Sequence, residues 1–118
     1  MKKILLLSAL LSSLAFASLQ VDTTYSTMGA VTEKIGGDLV SVTVLGSSKY
    51  DPHFIVPKPS LIAKLRRADL LIMNGGGLEM GWLPPLMRSA NNANIQNGAK
   101  GFLDMSHHVK MINVPTSV

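Results

Sequence analysis

The chain has no cysteine among its 118 residues. That excludes a disulfide framework, so stability has to come from an ordinary core. It also excludes a lipid-modified cysteine at the start of the mature chain. No apolar run reaches the roughly 20 residues that a membrane-spanning helix needs. Basic clusters are absent too, Arg66-Arg67 being the only adjacent pair beyond residue 3. The interleaved basic and aromatic surface that would read a nucleic acid is therefore missing. No serine or cysteine nucleophile sits in an elbow motif, and no carboxylate pair stands at catalytic spacing.

What is present begins with an export signal. Met1-Lys2-Lys3 is a basic start, residues 4–16 are apolar apart from serines, and Ala15-Phe16-Ala17 offers small residues for cleavage. Residues 1–17 are expected to be removed, leaving a soluble periplasmic chain of residues 18–118 without a lipid anchor. Loss of Lys2 and Lys3 from the eleven basic residues leaves nine against seven acidic ones, a mildly positive balance. About a hundred residues suffice for one modest domain.

Strand and helix patterns alternate along that domain. Residues 19–25 alternate like a strand. Residues 28–35 place Met28, Val31 and Ile35 on one helical face, with Thr27 as N-cap and Gly36-Gly37 as the stop. Residues 40–45 form a second strand, and residues 61–67 a helix capped by Ser60 with Leu61, Ile62 and Leu65 as its buried stripe. The apolar run in 69–73 predicts a strand buried on both faces. A helix starting near Pro84-Pro85 and a short strand within 101–106 follow. The expected fold class is α/β, a parallel sheet flanked by helices. After 109–114, residues 115–118 read like the middle of a connection, and the chain is expected to be a fragment truncated at its C-terminus.

Five features invite a chemical reading. His53 stands in a loop framed by Pro52, Pro57 and Pro59, which fix the backbone and could hold an imidazole in place. Taken alone, that pattern favours a rigid surface turn over a ligand. Gly75-Gly76-Gly77 with Gly81 loosely matches a dinucleotide loop, but Trp82 and Pro84-Pro85 occupy the start of the helix, so a tight turn is the better reading. His107 and His108, as neighbours on an extended segment, point to opposite sides and cannot easily share a metal ion. The methionines at 28, 73, 80, 87, 105 and 111 lack clustered spacing and read as core filler rather than a soft-metal site. Glu79 and Trp82 fit either the lining of a cleft or its cover.

A longer series binds these pieces together. Ile35-Gly36-Gly37-Asp38 precedes Val40-Ser41-Val42-Thr43-Val44, then Asp51-Pro52-His53 and Pro57-Lys58-Pro59-Ser60. Arg67-Ala68-Asp69-Leu70, Asn74-Gly75-Gly76-Gly77-Leu78-Glu79 and Gly81-Trp82-Leu83-Pro84 complete it. This series, covering about residues 21–115, resembles the solute-binding proteins of ATP-binding-cassette importers for zinc and manganese. The resemblance implies a two-lobed fold joined by one long helix, of which residues 18–118 would be the N-terminal lobe. The second lobe and the linking helix would be absent. It further implies a metal site in the cleft between lobes, with His53 as the first metal-binding histidine and the other ligands beyond Val118.

The function so implied is a receptor, not an enzyme. It would capture zinc or manganese as cargo and deliver it to an ATP-binding-cassette permease, acting as a monomer without a catalytic cofactor. The alternatives are an adhesion or surface-interaction role within the same family, or a secreted metal-dependent hydrolase. The hydrolase would need an open coordination position and a general base, and the sequence shows no such pair.

Overall fold

The computed structural model describes residues 17–112. The export segment, apart from Ala17, and the closing stretch 113–118 lie outside the described residues. Four strands, β1 (Leu19–Thr23), β2 (Val40–Val44), β3 (Leu70–Met73) and β4 (Phe102–Asp104), form one sheet in the order β2-β1-β3-β4. Every pairing is parallel: Val21 sits opposite Val42 on one side and Leu70 on the other, and Met73 sits opposite Asp104.

Three helices make the crossovers: α1 (Ser26–Gly36), α2 (Pro59–Arg67) and α3 (Leu83–Ala90). The first crossover moves from β1 to β2, whereas the second and third move the opposite way. Right-handed connections then require α1 on one face of the sheet and α2 and α3 on the other. The strand side chains obey this division. A Cβ on Gly29 of α1 would come within 2.7 Å of a Val44 methyl and 3.2 Å of the Thr23 hydroxyl, so α1 rests closely on β1 and β2. On the opposite face Leu61, Leu65, Leu71, Trp82, Leu83, Leu86 and Ile95 make one continuous buried cluster. Burial of such side chains, at about 25 cal/mol per Å² of apolar surface, is the main force holding α2 and α3 to the sheet.

Helix boundaries shift by a turn or less from the sequence pattern. Helix α1 starts at Ser26, so Thr27 lies inside it and Tyr25 holds the N-cap position. Helix α2 starts at Pro59, with Lys58 rather than Ser60 at the N-cap position. Proline at the first helical position costs nothing, because its missing N–H would have no partner there. The face of α1 is a larger departure. Met28 is half-buried, but Val31 and Ile35 are 58% and 82% exposed. Gly29, not the Met28–Val31–Ile35 stripe, meets the sheet, because only a residue without a side chain allows so close an approach.

Candidate metal-binding loop

Open parallel sheets hold ligands outside the carboxyl ends of their strands, where the strand order reverses. Here the neighbours β1 and β3 lead away from each other, β1 to β2 on one side and β3 to β4 on the other, and three connections emerge at that edge. These are Thr24-Tyr25 after β1, the loop containing His53 after β2, and the Asn74–Trp82 stretch after β3. The β1 and β2 connections are stitched together first. Leu45 N–H donates to the Thr23 carbonyl at 2.8 Å and Gly46 N–H to the Thr24 carbonyl at 3.0 Å. A Cβ at Gly46 would lie 2.7 Å from that Thr24 oxygen, so only glycine permits the contact.

His53 lies in a single 3-10 turn, Pro52–Phe54. Asp51 caps the turn, its Oδ1 accepting from His53 N–H at 2.9 Å. The same oxygen lies 2.8 Å from His53 Nδ1. A carboxylate acceptor at that distance places the proton on Nδ1 and leaves the Nε2 lone pair free, the arrangement by which carboxylates orient metal-binding imidazoles. The backbone and side-chain hydrogen bonds from His53 hold the Asp51 carboxyl below the usual carboxylate range. Both side chains are open to solvent, at 61% for His53 and 55% for Asp51.

The turn is fixed from beneath by its own backbone. The Pro52 carbonyl accepts two hydrogen bonds, from Tyr25 OH at 3.0 Å and from Trp82 Nε1 at 3.2 Å. Trp82 is 1% exposed and meets the Tyr25 ring edge to face. Burial raises the Tyr25 hydroxyl above its ordinary pKa, so it remains a donor at neutral pH. Trp82 therefore covers the cleft floor and anchors the turn rather than lining an open cavity. Glu79 is a brace. It is 1% exposed; Oε1 accepts from Thr24 Oγ1 and from Asn74 N–H, both at 2.8 Å, and Oε2 accepts from Gly75 N–H at 3.1 Å. Gly75 has φ +76°, and a Cβ there would collide with the Asp104 carboxylate. The glycines thus serve a tight turn wrapped around a buried carboxylate.

His107 and His108 fall on a 3-10 turn, Met105–His108, not on the extended segment that the sequence suggests. The reason is local: Asp104 accepts from Ser106 N–H at 2.9 Å and from its hydroxyl at 2.7 Å, which curls the chain directly after β4. His107 Nε2 is 3.9 Å from Asp104 Oδ2, separate from the contacts of His53. Among the described residues, no three histidine or acidic side chains gather closely enough to hold a metal ion. The donors that do converge are one imidazole and its orienting carboxylate. Asp51 carried no role in the sequence reading beyond its place in the Asp-Pro-His series. An acid two positions before a histidine on a proline turn is the signal that could have assigned one.

Comparison with known proteins places this geometry. Residues 21–113 match the family model described as "Zinc-uptake complex component A periplasmic". The metal transporter substrate-binding lipoprotein FimA of Streptococcus parasanguinis is 34% identical over 104 residues, which cover 86% of this chain and 32% of that protein. The manganese transporter substrate-binding lipoprotein PsaA of Streptococcus pneumoniae is 36% identical over 76 residues, 62% of this chain and 24% of that one. Among solved structures, a crystal structure of ZnuA superimposes with a TM-score of 0.69 at 31% identity, covering 81% of this chain and 35% of that one. A manganese-bound periplasmic metal-binding protein from Candidatus Liberibacter asiaticus gives 0.67 at 26% identity, with coverages of 84% and 35%. The chain thus spans about a quarter to a third of the length of these relatives. Its family match over most of its length, on a parallel α/β sheet of the same fold, makes the chain a member of the family of periplasmic zinc-uptake complex component A proteins.

Proposed function

We propose that this chain is the N-terminal lobe of a periplasmic receptor that captures zinc or manganese as cargo and hands it to an ATP-binding-cassette permease. The observation that carries this reading is the Asp51–His53 pair: an exposed imidazole whose Nδ1 is engaged by a carboxylate, which leaves Nε2 as the donor for a metal. Neutral imidazole suits both zinc and manganese among borderline divalent ions. Relatives named for metal or manganese transport, and one solved with manganese bound, support the cargo class.

One imidazole makes a weak site. A divalent ion of this kind needs three or four protein donors for tight binding, so the remaining ligands come from polypeptide outside these residues. Capture weakens as pH falls, since the imidazole coordinates only when unprotonated. Release follows when docking on the permease separates the donors. The matched family model is described as periplasmic, which supports placing the receptor in that compartment.

Titration calorimetry with zinc and manganese tests the assignment. His53→Ala should abolish the weak binding of this chain, whereas His107→Ala should leave it intact. Equal effects of the two substitutions would remove His53 from the site. The same titration on a two-lobed chain of full family length should give far higher affinity. Equal affinities for one lobe and two would overturn the split site.

A further inference from the structure

A second cavity opens along the outer edge of the same sheet end, between β3, β4 and α3. It holds about 350 Å³ and is lined by three methionines: Met73 from β3, Met80 from the turn after it, and Met87 from α3. His107, Asp104 and Arg88 also line it. We propose that this cavity is a site for a soft monovalent cation of the cuprous or silver type, separate from the His53 loop.

Position supports the assignment. Met73 and Asp104 are register partners at the carboxyl ends of β3 and β4, where parallel α/β sheets hold ligands. Core filling accounts for only part of the methionine content. Met87 is 9% exposed and belongs to the buried cluster, but Met80 is 71% exposed at the cavity. A flexible thioether in water gains nothing from hydrophobic burial, yet it can swing inward onto an ion. Thioether sulfur is a neutral, polarisable donor that selects soft ions over zinc or manganese. His107 adds an imidazole beside the Asp104 carboxylate, at 3.9 Å. That carboxylate is 16% exposed and offsets the positive charge that Arg88 brings to the wall. The sequence spacing of the methionines conceals the grouping, because the turn after β3 and the start of α3 fold back over the strand end.

The test uses the chain with its methionine methyl groups isotopically labelled and silver nitrate as a redox-inert probe. The methyl resonances of Met73, Met80 and Met87 should shift together along one binding curve, while those of Met28, Met105 and Met111 stay in place. Replacing the three by leucine, which preserves volume, should weaken silver binding by at least about tenfold and leave zinc binding unchanged. Met80→Leu alone, at an exposed position, provides the same direction of change without risk to the fold. His107→Ala should weaken silver binding and His53→Ala should not. Silver affinity unchanged by the leucine substitutions, or equal shifts at all six methionines, would overturn the proposal.

Discussion

Tyr25 and Trp82, 57 positions apart in sequence, meet edge to face with ring centroids 6.4 Å apart, and both donate to the carbonyl oxygen of Pro52. That shared acceptor joins the end of β1, the start of α3 and the histidine turn into one rigid unit. A metal ligand on a loop loses precision unless its support is packed and hydrogen-bonded; for His53, proposed as such a ligand, the support lies directly under the preceding residue.

Trp82→Phe keeps most of the buried ring but removes the indole donor. It should cost about 1 kcal/mol for the lost hydrogen bond, plus some packing, and raise hydrogen exchange at residues 53–55. Trp82→Ala should cost about 3–5 kcal/mol through the cavity it leaves. Chemical denaturation with exchange mass spectrometry reads both. Unchanged exchange in the histidine turn of the phenylalanine variant would separate that turn from the aromatic pair.

Asp51→Asn retains an acceptor for His53 N–H but removes the charge that orients and polarises the imidazole. Loss of a carboxylate behind a metal-binding histidine typically lowers affinity about 10–100-fold. Calorimetry with zinc or manganese should show a drop in that range, with the melting temperature nearly unchanged because both side chains are exposed. Wild-type affinity in this variant would leave Asp51 as a turn cap and nothing more.

Glu79→Gln is expected to be destabilising although the two side chains are nearly equal in size. Glutamate supplies two oxygens to three donors: the Thr24 hydroxyl, Asn74 N–H and Gly75 N–H. Glutamine offers one oxygen and turns an NH2 group towards a donor, leaving a buried group unpaired. The cost should be about 1–3 kcal/mol, measured by urea denaturation. A neutral result would mean that the turn relaxes enough to re-pair these groups.

Asp22 predicts a pH effect on stability. It is 4% exposed on the face covered by α2, and its Oδ2 has no hydrogen-bond partner. Burial raises its pKa from 3.8 to about 6, with the charges of Lys64 and Arg67 opposing the shift. The folded chain therefore binds this proton more tightly than the unfolded one. The contribution to stability is fully present below about pH 4 and is lost as pH rises through about 6, a change of roughly 3 kcal/mol. The stability of the wild type relative to Asp22→Asn should fall by about 2–3 kcal/mol between pH 4 and pH 7. A difference constant across the range would contradict the shift.

Much of the fold was legible because its signals are local. Alternating β-formers, glycine stops and proline starts mark β1, β2, α2 and α3 to within a few residues, and the alternation of strand with helix dictates a parallel sheet. The stiff loop around His53 was visible for the same reason, since Pro52, Pro57 and Pro59 act locally, whereas the Asp51 cap was not assigned from sequence. The α1 surface was misjudged because periodicity cannot distinguish a stripe that packs on the sheet from one that does not. Gly29 decided the matter by allowing contact at a position that carries no hydrophobic signal.

The sequence by itself determined the strand and helix order and the presence of a stiff, histidine-bearing loop. Its cysteine count also ruled out thiolate ligands and disulfides among its 118 residues. Only the tertiary structure decided that Pro52 hangs from Tyr25 and Trp82, that Glu79 is a buried brace, and that Met73, Met80 and Met87 share one cavity. The first two depend on strand order and crossover direction, which bring distant segments to the carboxyl end of the sheet, and the third on the turn after β3, which folds α3 back over the strand end. Contacts between residues tens of positions apart are set by that packing and leave no periodic trace along the chain.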